Sequence, residues 1–339
     1  MSATLMDTTP LPPTLSEPEQ PASSEPTTST APPPSLMIQP RRENPLLEVF
    51  VGPNGLYPGT RWLIYLAMFG VCLGMLGLFM HFAHPQHGGP IWWGMVTQIG
   101  AVLAAILPAL VMARIEKRPF SAFGLPAQNA FRRNFWVGTL WGIASLTILM
   151  LVLRLAGAFE FGSLALRGTS IVKFAVYYAL FFLLTGFFEE FLVRGYSQWV
   201  LSQGMYFWPA AALLSAGFGA LHSANPGESK SGLIAAALIG FFFCLTLRRT
   251  GDLWWAVGFH MSWDWGESYF YSVPDSGGMM TGHLLNSSFH GPDWLTGGSV
   301  GPEGSLLVFV VIVALWIVFD RVYPEVKYGQ TNSSPELSS

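Results

Sequence analysis

The chain has 339 residues, of which 51% are hydrophobic and only 11% are charged. An ordinary soluble domain carries about 25% charged residues, so this composition excludes a water-soluble globular protein and indicates that the lipid bilayer is its main solvent. The net charge of -3 excludes a nucleic-acid partner, because phosphate binding needs a basic surface.

Residues 1–58 are rich in proline, serine and threonine and show no apolar periodicity. Such a segment cannot bury enough apolar surface to offset the entropy lost on ordering, so we predict a disordered N-terminal tail over this range. Its first residues lack the basic start and the short apolar run of a signal peptide, and we expect an internal segment to direct membrane insertion.

Eight apolar runs follow the tail. Four are long enough to cross the hydrocarbon as helices, which takes about 20 residues each. These are residues 62–82, 91–115, 135–155 and 171–193. The later runs cover residues 207–222, 233–247, 253–265 and 306–322. The sequence therefore predicts an all-α, polytopic integral membrane bundle of about eight transmembrane helices over 59–325, with a short C-terminal tail at 326–339.

Lysine and arginine are distributed unevenly among the predicted loops. If the N-terminus is cytoplasmic, thirteen of the 17 fall on the cytoplasmic side, and the segment 267–304 contains neither residue. Because positively charged loops stay in the cytoplasm, the count predicts a multi-pass protein of a bacterial plasma membrane with both termini cytoplasmic. It also predicts that 267–304 is an external loop.

Two adjacent glutamates and an arginine interrupt the fourth apolar run. A charged side chain at mid-membrane costs about 2.5–3.5 kcal/mol on insertion scales, so such residues are paired, protonated or exposed to a wet cavity. Glu190 and Arg194 have the i, i+4 spacing of a helical ion pair, whereas Glu189 points about 100° away. We predict that Arg194 pairs with Glu190 and that Glu189 is free to act as a general base. The alternative is a purely structural ion pair beside an interfacial glutamate.

Two of the seven histidines lie within the later apolar runs. His222 follows Phe218 by four residues, and His260 precedes Asp264 by four, which places the second imidazole and its carboxylate on one helix face. A lone histidine in a membrane is more often a hydrogen-bonding contact between helices. Together with the glutamates, however, these residues form a set that can activate water and stabilise a tetrahedral oxyanion.

Two chemistries fit this set of residues. In a metal-free version Glu189 takes a proton from water, while His222, with His260 and Asp264, stabilises the oxyanion or protonates the leaving amine. In a metal version His222, His260 and a carboxylate hold Zn²⁺, which lowers the pKa of bound water to about 7. The free face of Glu189 favours the metal-free version and no cofactor, and zinc stays open as the alternative.

The three segments resemble the signature of the CAAX protease and bacteriocin-processing family of intramembrane endopeptidases, relatives of the Ras-converting enzyme. That family shows three motifs in order, Glu-Glu-x-x-x-Arg, Phe-x-x-x-His and His-x-x-x-Asn or Asp, here called the first, second and third motifs. All seven marked positions are filled by Glu189, Glu190, Arg194, Phe218, His222, His260 and Asp264. The resemblance covers residues 171–265, under a third of the chain.

The resemblance implies an endopeptidase that acts on a membrane-associated peptide or protein within the lipid bilayer. It implies that Glu189 activates water, that Glu190 supports it through its pairing with Arg194, and that His222 and His260 stabilise the transition state. Asp264 stands where the eukaryotic relatives carry Asn. Because an ionised Asp cannot donate to an oxyanion, it suits an orienting role for His260 or a metal.

Two other functions stay open from the residues alone. Membrane acids and histidines also relay protons in proton-coupled transporters, although the two halves of this chain show no convincing inverted repeat. A non-catalytic immunity or scaffold protein would keep the same fold without turnover.

The predicted spans place Glu189 near the inner end of its helix and His222 toward the outer end of the next. A shared site requires similar depths in the membrane. We therefore expect the first of these helices to continue beyond its apolar run, through Leu201. We expect the second to be short, tilted or broken, with Gly217 and Gly219 permitting the break.

Overall fold

The computed structural model describes residues 50–52, 55–83 and 91–329, all within one unit, Leu46–Ser339. The predicted tails lie outside the described residues except for 50–52, 55–58 and 326–329. Within that part of the chain, the main elements are helices. They are α1 (Pro58–Ala83), α2 (Trp92–Ile115), α3 (Arg133–Leu155), α4 (Thr169–Leu192), α5 (Gln198–Met205), α6 (Phe207–Leu221), α7 (Lys230–Thr250), α8 (Trp254–Trp265), α9 (Asp293–Thr296) and α10 (Leu306–Val322).

Two short antiparallel ladders accompany the helices. Strands β1 (Val51–Gly52) and β2 (Gly55–Leu56) pair just before α1. Strand β3 (Phe159–Glu160) lies between α3 and α4 and pairs with β4 (Ser288–Phe289) in the loop that precedes α10. The predicted all-α class is therefore confirmed, with strands serving only to tie connections together.

Each of the eight predicted apolar runs forms a helix, but the helices differ in length. By length and composition, α1, α2, α3, α7 and the unit Thr169–Met205 formed by α4 and α5 can cross a membrane. Helices α6, α8 and α10 have 15, 12 and 17 residues. The polytopic membrane class is confirmed, whereas the count of eight complete crossings stays a prediction.

The helix that carries the first motif ends three residues after Glu189, and a second helical segment follows it. Residues Val193–Ser197 form a π-helical turn in which Gly195 (φ -80°, ψ -115°) leaves the helical conformation, so α5 is joined to α4 across a kink. Glu189 lies 16 residues before the end of α5, and His222 lies 15 residues after the start of α6. Counted along the chain, the two residues are therefore about equally far from the turn that joins α5 to α6. The expected continuation through Leu201 is present as a second helix beyond a kink, and Glu189 stays near the end of α4.

Helix α6 is short and not broken. It runs without interruption to Leu221 with Gly217 and Gly219 in regular helix, so the expectation of a short, tilted or broken helix is met by its length of 15 residues and not by a break at these glycines. The helix ends one residue before a 3₁₀ turn, His222–Ala224. The imidazole of His222, in the second motif, therefore lies just past the end of α6.

Helix α8 carries the third motif and is held at close range by α3. A Cβ on Gly138 of α3 would lie 1.9 Å from the carbonyl oxygen of Trp255, and one on Gly258 of α8 would lie 2.1 Å from that of Phe135. Small residues that let backbones approach are typical of helix contacts in membranes. These two glycines therefore fix the position of α8 within the bundle.

Helix α8 also continues past its apolar run. Residues Gly266–Tyr271 form a second π-helical turn, so the loop begins at Ser272. The prediction that the loop starts at Glu267 is wrong for this reason. Single π-helical turns are frequent at functional sites, and in this chain one contains Arg194 of the first motif and one follows the third motif.

The connections gather at two ends of the bundle. At one end Arg61, at the start of α1, lies 3.3 Å from Glu116 after α2 and donates a hydrogen bond to Gln203 of α5. At the other end, the α3–α4 connection pairs with the loop 272–305 through β3 and β4. This grouping of the connections at two ends agrees with the division into cytoplasmic and external loops that the charge count requires. Which end is cytoplasmic stays a prediction.

Candidate active site

The first motif provides a buried ion pair. Arg194 Nη1 donates to Glu190 Oε1 at 3.0 Å, and both side chains are fully buried. The guanidinium carbon also lies 4.5 Å from the centre of the Phe218 ring on α6, a cation–π contact. The predicted i, i+4 contact is present, and Arg194 connects the first motif with the aromatic residue of the second.

His260 contacts all three carboxylates of the motifs. Its Nδ1 donates to Glu190 Oε1 at 3.1 Å. Its Nε2 lies 3.6 Å from Glu189 Oε2 and 3.5 Å from Asp264 Oδ2. Each ring nitrogen therefore faces a carboxylate oxygen, which suits an imidazolium, because that form donates at both nitrogens.

The two adjacent glutamates have different surroundings, as the helical spacing predicts. The Glu190 side chain is fully buried, whereas 25% of the Glu189 side chain is exposed. Glu189 lines a cavity of about 520 Å³ inside the bundle. A carboxylate that meets solvent on one side and a histidine on the other can exchange a proton with water in that cavity.

His222 lines the same cavity from the connection between α6 and α7. Its Nδ1 donates to the carbonyl oxygen of Phe218 at 2.9 Å, and the two rings meet edge to face with centres 4.6 Å apart. This bond holds the ring orientation and leaves Nε2 for a ligand. His260 and Asp264 also line the cavity. The structure thus brings Glu189, His222, His260 and Asp264 to one space, with Glu190 and Arg194 buried beside them.

Apolar side chains from several helices form most of the cavity wall. Phe69 and Leu73 come from α1, Phe181 from α4, Ile239 from α7 and Ile312 from α10. Concave sites with apolar walls and a few convergent polar groups are typical of substrate pockets. The wall suits an apolar segment of a membrane-associated substrate.

Three further carboxylates line this cavity, and the motifs do not predict them. They belong to Glu228, Asp275 and Glu303. Burial raises the pKa of Glu228. Burial, with added repulsion from Glu303, raises the pKa of Asp275 to about 8. The one sequence signal for this acidic wall is the lack of lysine and arginine in residues 267–304.

A zinc ion held by His222, His260 and a carboxylate would require their ligand atoms to converge. Zinc binds nitrogen and oxygen at about 2.0–2.2 Å, so its ligand atoms lie well within 4.8 Å of one another. Among the described residues, three or more ligand atoms converge to within 4.8 Å at Glu267, Asp275 and Glu303, and the two histidines are not in that group. As placed, the residues of the three motifs do not fit the predicted zinc site.

A comparison with known families agrees with the three motifs. Residues 171–266 match the family described as Type II CAAX prenyl endopeptidase Rce1-like. The chain carries an Rce1-like domain. Over residues 171–266, the resemblance to the CAAX proteases, a family of membrane proteases, is confirmed. A search among curated proteins finds no match to this sequence.

The Rce1-like domain does not enclose the cavity by itself. It extends from α4 to the end of α8 and contains every residue of the three motifs. Phe69 and Leu73 on α1, Ile312 on α10, and Asp275 and Glu303 lie outside it and complete the wall. The shape of the cavity therefore depends on segments of this chain beyond the family domain.

Proposed function

We propose that the protein is an intramembrane endopeptidase that hydrolyses a peptide bond of a membrane-associated peptide or protein with glutamate-activated water. The observation that supports this most is the convergence of Glu189, His222 and His260 on one cavity within the bundle. Glu189 is the accessible member of an otherwise buried glutamate pair.

In the proposed reaction, Glu189 accepts a proton from water, and the oxygen attacks the carbonyl carbon of the scissile bond. The C–O bond forms as the carbonyl becomes an oxyanion, to which His260 donates a hydrogen bond, as does His222 when its Nε2 is protonated. The C–N bond then breaks as the proton that Glu189 took from water passes to the leaving amine, directly or through His222. No group other than water is consumed.

Glu190, Arg194 and Asp264 act through other residues in this proposal. Glu190 accepts from Nδ1 of His260 and is held by Arg194, so the pair orients the imidazole. Asp264 lies beside Nε2 of the same ring and orients it from the other side. Buried partners of this kind fix the geometry of a catalytic group and cost activity when removed.

The protein is proposed to work as a multi-pass protein of a bacterial plasma membrane, with both termini in the cytoplasm. The charge distribution supports this orientation, and the grouping of connections at two ends of the bundle agrees with it. The apolar wall of the cavity supports a substrate segment drawn from the bilayer.

The test is hydrolysis by the purified full-length protein in lipid nanodiscs, with a library of membrane-associated peptides read out by mass spectrometry. We expect the wild-type protein to generate new peptide termini and Glu189→Gln, which is nearly isosteric, to be slower by at least about 10²-fold. Glu160→Gln, an exposed acid on β3, is the matched control and should cleave like the wild type. A protein that cleaves nothing but moves protons across the bilayer would favour a transporter instead.

A further inference from the structure

A second group of carboxylates lies beside the proposed active site and belongs to none of the three motifs. Glu267 comes from the π-helical turn after α8, Asp275 from the loop that follows, and Glu303 from the 3₁₀ turn before α10. One ligand oxygen from each lies within 4.8 Å of the other two. Three carboxylates this close repel one another unless a cation or protons neutralise them.

Two of the three carboxylates are held in place by hydroxyl groups. Ser268 donates to Asp275 Oδ2 at 2.9 Å, and Ser276 donates to Glu303 Oε2 at 2.7 Å. Each of these bonds engages one of the two oxygens of its carboxylate. The cluster is therefore oriented by its surroundings and is not a chance meeting of mobile acids.

Glu267 supplies an independent observation. Its side chain is fully buried, and neither of its carboxylate oxygens accepts a hydrogen bond of regular geometry, although the indole N–H of Trp263 approaches the carboxylate. A buried carboxylate without a partner is costly, and buried polar groups in folded proteins are almost always satisfied. One of its oxygens lies within 4.8 Å of a ligand oxygen of each of the other two acids, where a cation would satisfy it.

We propose that Glu267, Asp275 and Glu303 bind a hard divalent cation, Ca²⁺ in the first place. Three carboxylates with no nitrogen or sulfur donor are the ligands that such cations prefer. Ca²⁺ takes oxygen ligands at about 2.3–2.6 Å in flexible geometry, which suits ligands that come from three separate segments.

The proposed cation has a structural consequence for the cavity. Asp275 and Glu303 line the same cavity as the three motifs, and Glu267 is attached to the helix that carries His260. A bound ion would tie the loop 272–305 and the start of α10 to α8, and so hold the acidic wall in place. This proposal does not depend on peptide hydrolysis, and its test measures binding and stability instead.

The test uses the purified full-length protein in nanodiscs after removal of divalent ions with EDTA. Titrated Tb³⁺ should show luminescence sensitised by the nearby Trp263, and Ca²⁺ should quench it by displacement. Saturating Ca²⁺ should raise the Tm of the wild-type protein by about 5 °C or more. Glu303→Gln and Asp275→Asn should each lose most of both responses, whereas Glu160→Gln should keep them.

Three results would overturn the proposal. The first is a wild-type protein that gives no sensitised luminescence and no change in Tm, which would mean that protons neutralise the cluster. The second is a response that is undiminished in both Glu303→Gln and Asp275→Asn, which would place the ion elsewhere. The third is a response equally lost in Glu160→Gln, which would indicate a diffuse charge effect. If one cluster variant does not fold, the other decides.

Discussion

Arg194 and Glu190 neutralise each other in a region that water does not reach. Removing one partner of a buried ion pair leaves the other charge uncompensated, which costs about 3–5 kcal/mol. We therefore expect Arg194→Ala to lower the thermal stability of the purified protein and its peptide hydrolysis together, as measured by thermal unfolding in nanodiscs and by cleavage rate.

The matched control for this variant removes both charges. Arg194→Met combined with Glu190→Gln should recover part of the stability that Arg194→Ala loses, because no unpaired charge remains. It should not recover hydrolysis, since His260 then lacks the carboxylate that accepts from Nδ1. An Arg194→Ala protein as stable as the wild type would show that the pair is solvated.

Asp264 distinguishes the two chemistries that the motifs allow. Asn at this position can still hydrogen-bond to His260, so in the metal-free reaction Asp264→Asn should lose about tenfold or less in rate, the worth of one hydrogen bond. The rate of both proteins should be unaffected by a zinc-selective chelator in the presence of Ca²⁺. The measurement is elemental analysis of active protein beside these rates. Stoichiometric zinc whose removal and return switch activity off and on would contradict the metal-free mechanism.

Helical spacing predicts contacts within one helix and misses contacts between helices. The pairing of Glu190 with Arg194 and the separate direction of Glu189 both follow from four-residue and one-residue offsets along α4 and the turn that follows it. The bond from His260 to Glu190 joins residues 70 positions apart, and no periodicity encodes it. The cation–π contact of Arg194 with Phe218 gives the aromatic position of the second motif a physical role that the sequence alone does not supply.

The π-helical turn Val193–Ser197 is the element that joins α4 to α5. Gly195 in this turn has φ -80° and ψ -115°, and a Cβ there would lie 2.6 Å from the Phe191 ring. Adding that methyl group to a packed interior costs about 1–3 kcal/mol. We expect Gly195→Ala to lower the Tm in nanodiscs and to reduce hydrolysis, because the turn holds Arg194.

Gly217 on α6 offers the matched control for that substitution. A Cβ at Gly217 meets no atom within 4 Å, and the residue lies exposed in regular helix. Gly217→Ala should therefore leave stability unchanged or raise it by up to about 1 kcal/mol. Equal destabilisation by both substitutions would show that the π-helical turn has no special packing requirement.

Apolar runs predict that helices exist better than they predict where helices end. All eight runs form helices, yet helical structure resumes after α4 and runs to Met205 as α5, beyond residues with weaker apolarity that include Arg194 and Ser197. The two helices meet at a kink at Gly195, and hydropathy carries no signal for such a kink. In the same way α8 extends to Tyr271, because Glu267 is buried by tertiary contacts that sequence periodicity does not reveal.

The orientation of the whole bundle can be tested by labelling from each side of the membrane. In a Cys72→Ala background, with Cys244 buried, cysteines are introduced at the exposed positions Ser121 and Ser288. The charge count predicts that an impermeant thiol reagent labels Ser121→Cys only from the cytoplasmic side and Ser288→Cys only from the outside. Labelling of both from the same side would contradict the two-ended arrangement of the loops.

The cavity is a property of the complete bundle, and this limits what the motifs can predict. Seven motif positions within residues 171–265 are enough to predict the family and the motif residues that come together at the cavity. The acids Glu228, Asp275 and Glu303 and the apolar side chains of α1 and α10 reach the same space from distant parts of the chain. Their convergence follows from packing, which no local pattern encodes.

The central claim is that Glu189 and His222 act as one unit on one reacting carbonyl in this cavity. The most direct measurement is the cleavage rate of a single peptide by the wild-type protein, Glu189→Gln, His222→Ala and the double variant, all purified in nanodiscs. Residues that act as a unit in catalysis have non-additive effects. Each single variant should lose at least about 10²-fold, and the double variant should lose little more than the slower of the two. Losses that multiply in the double variant, or full activity in Glu189→Gln, would contradict the claim.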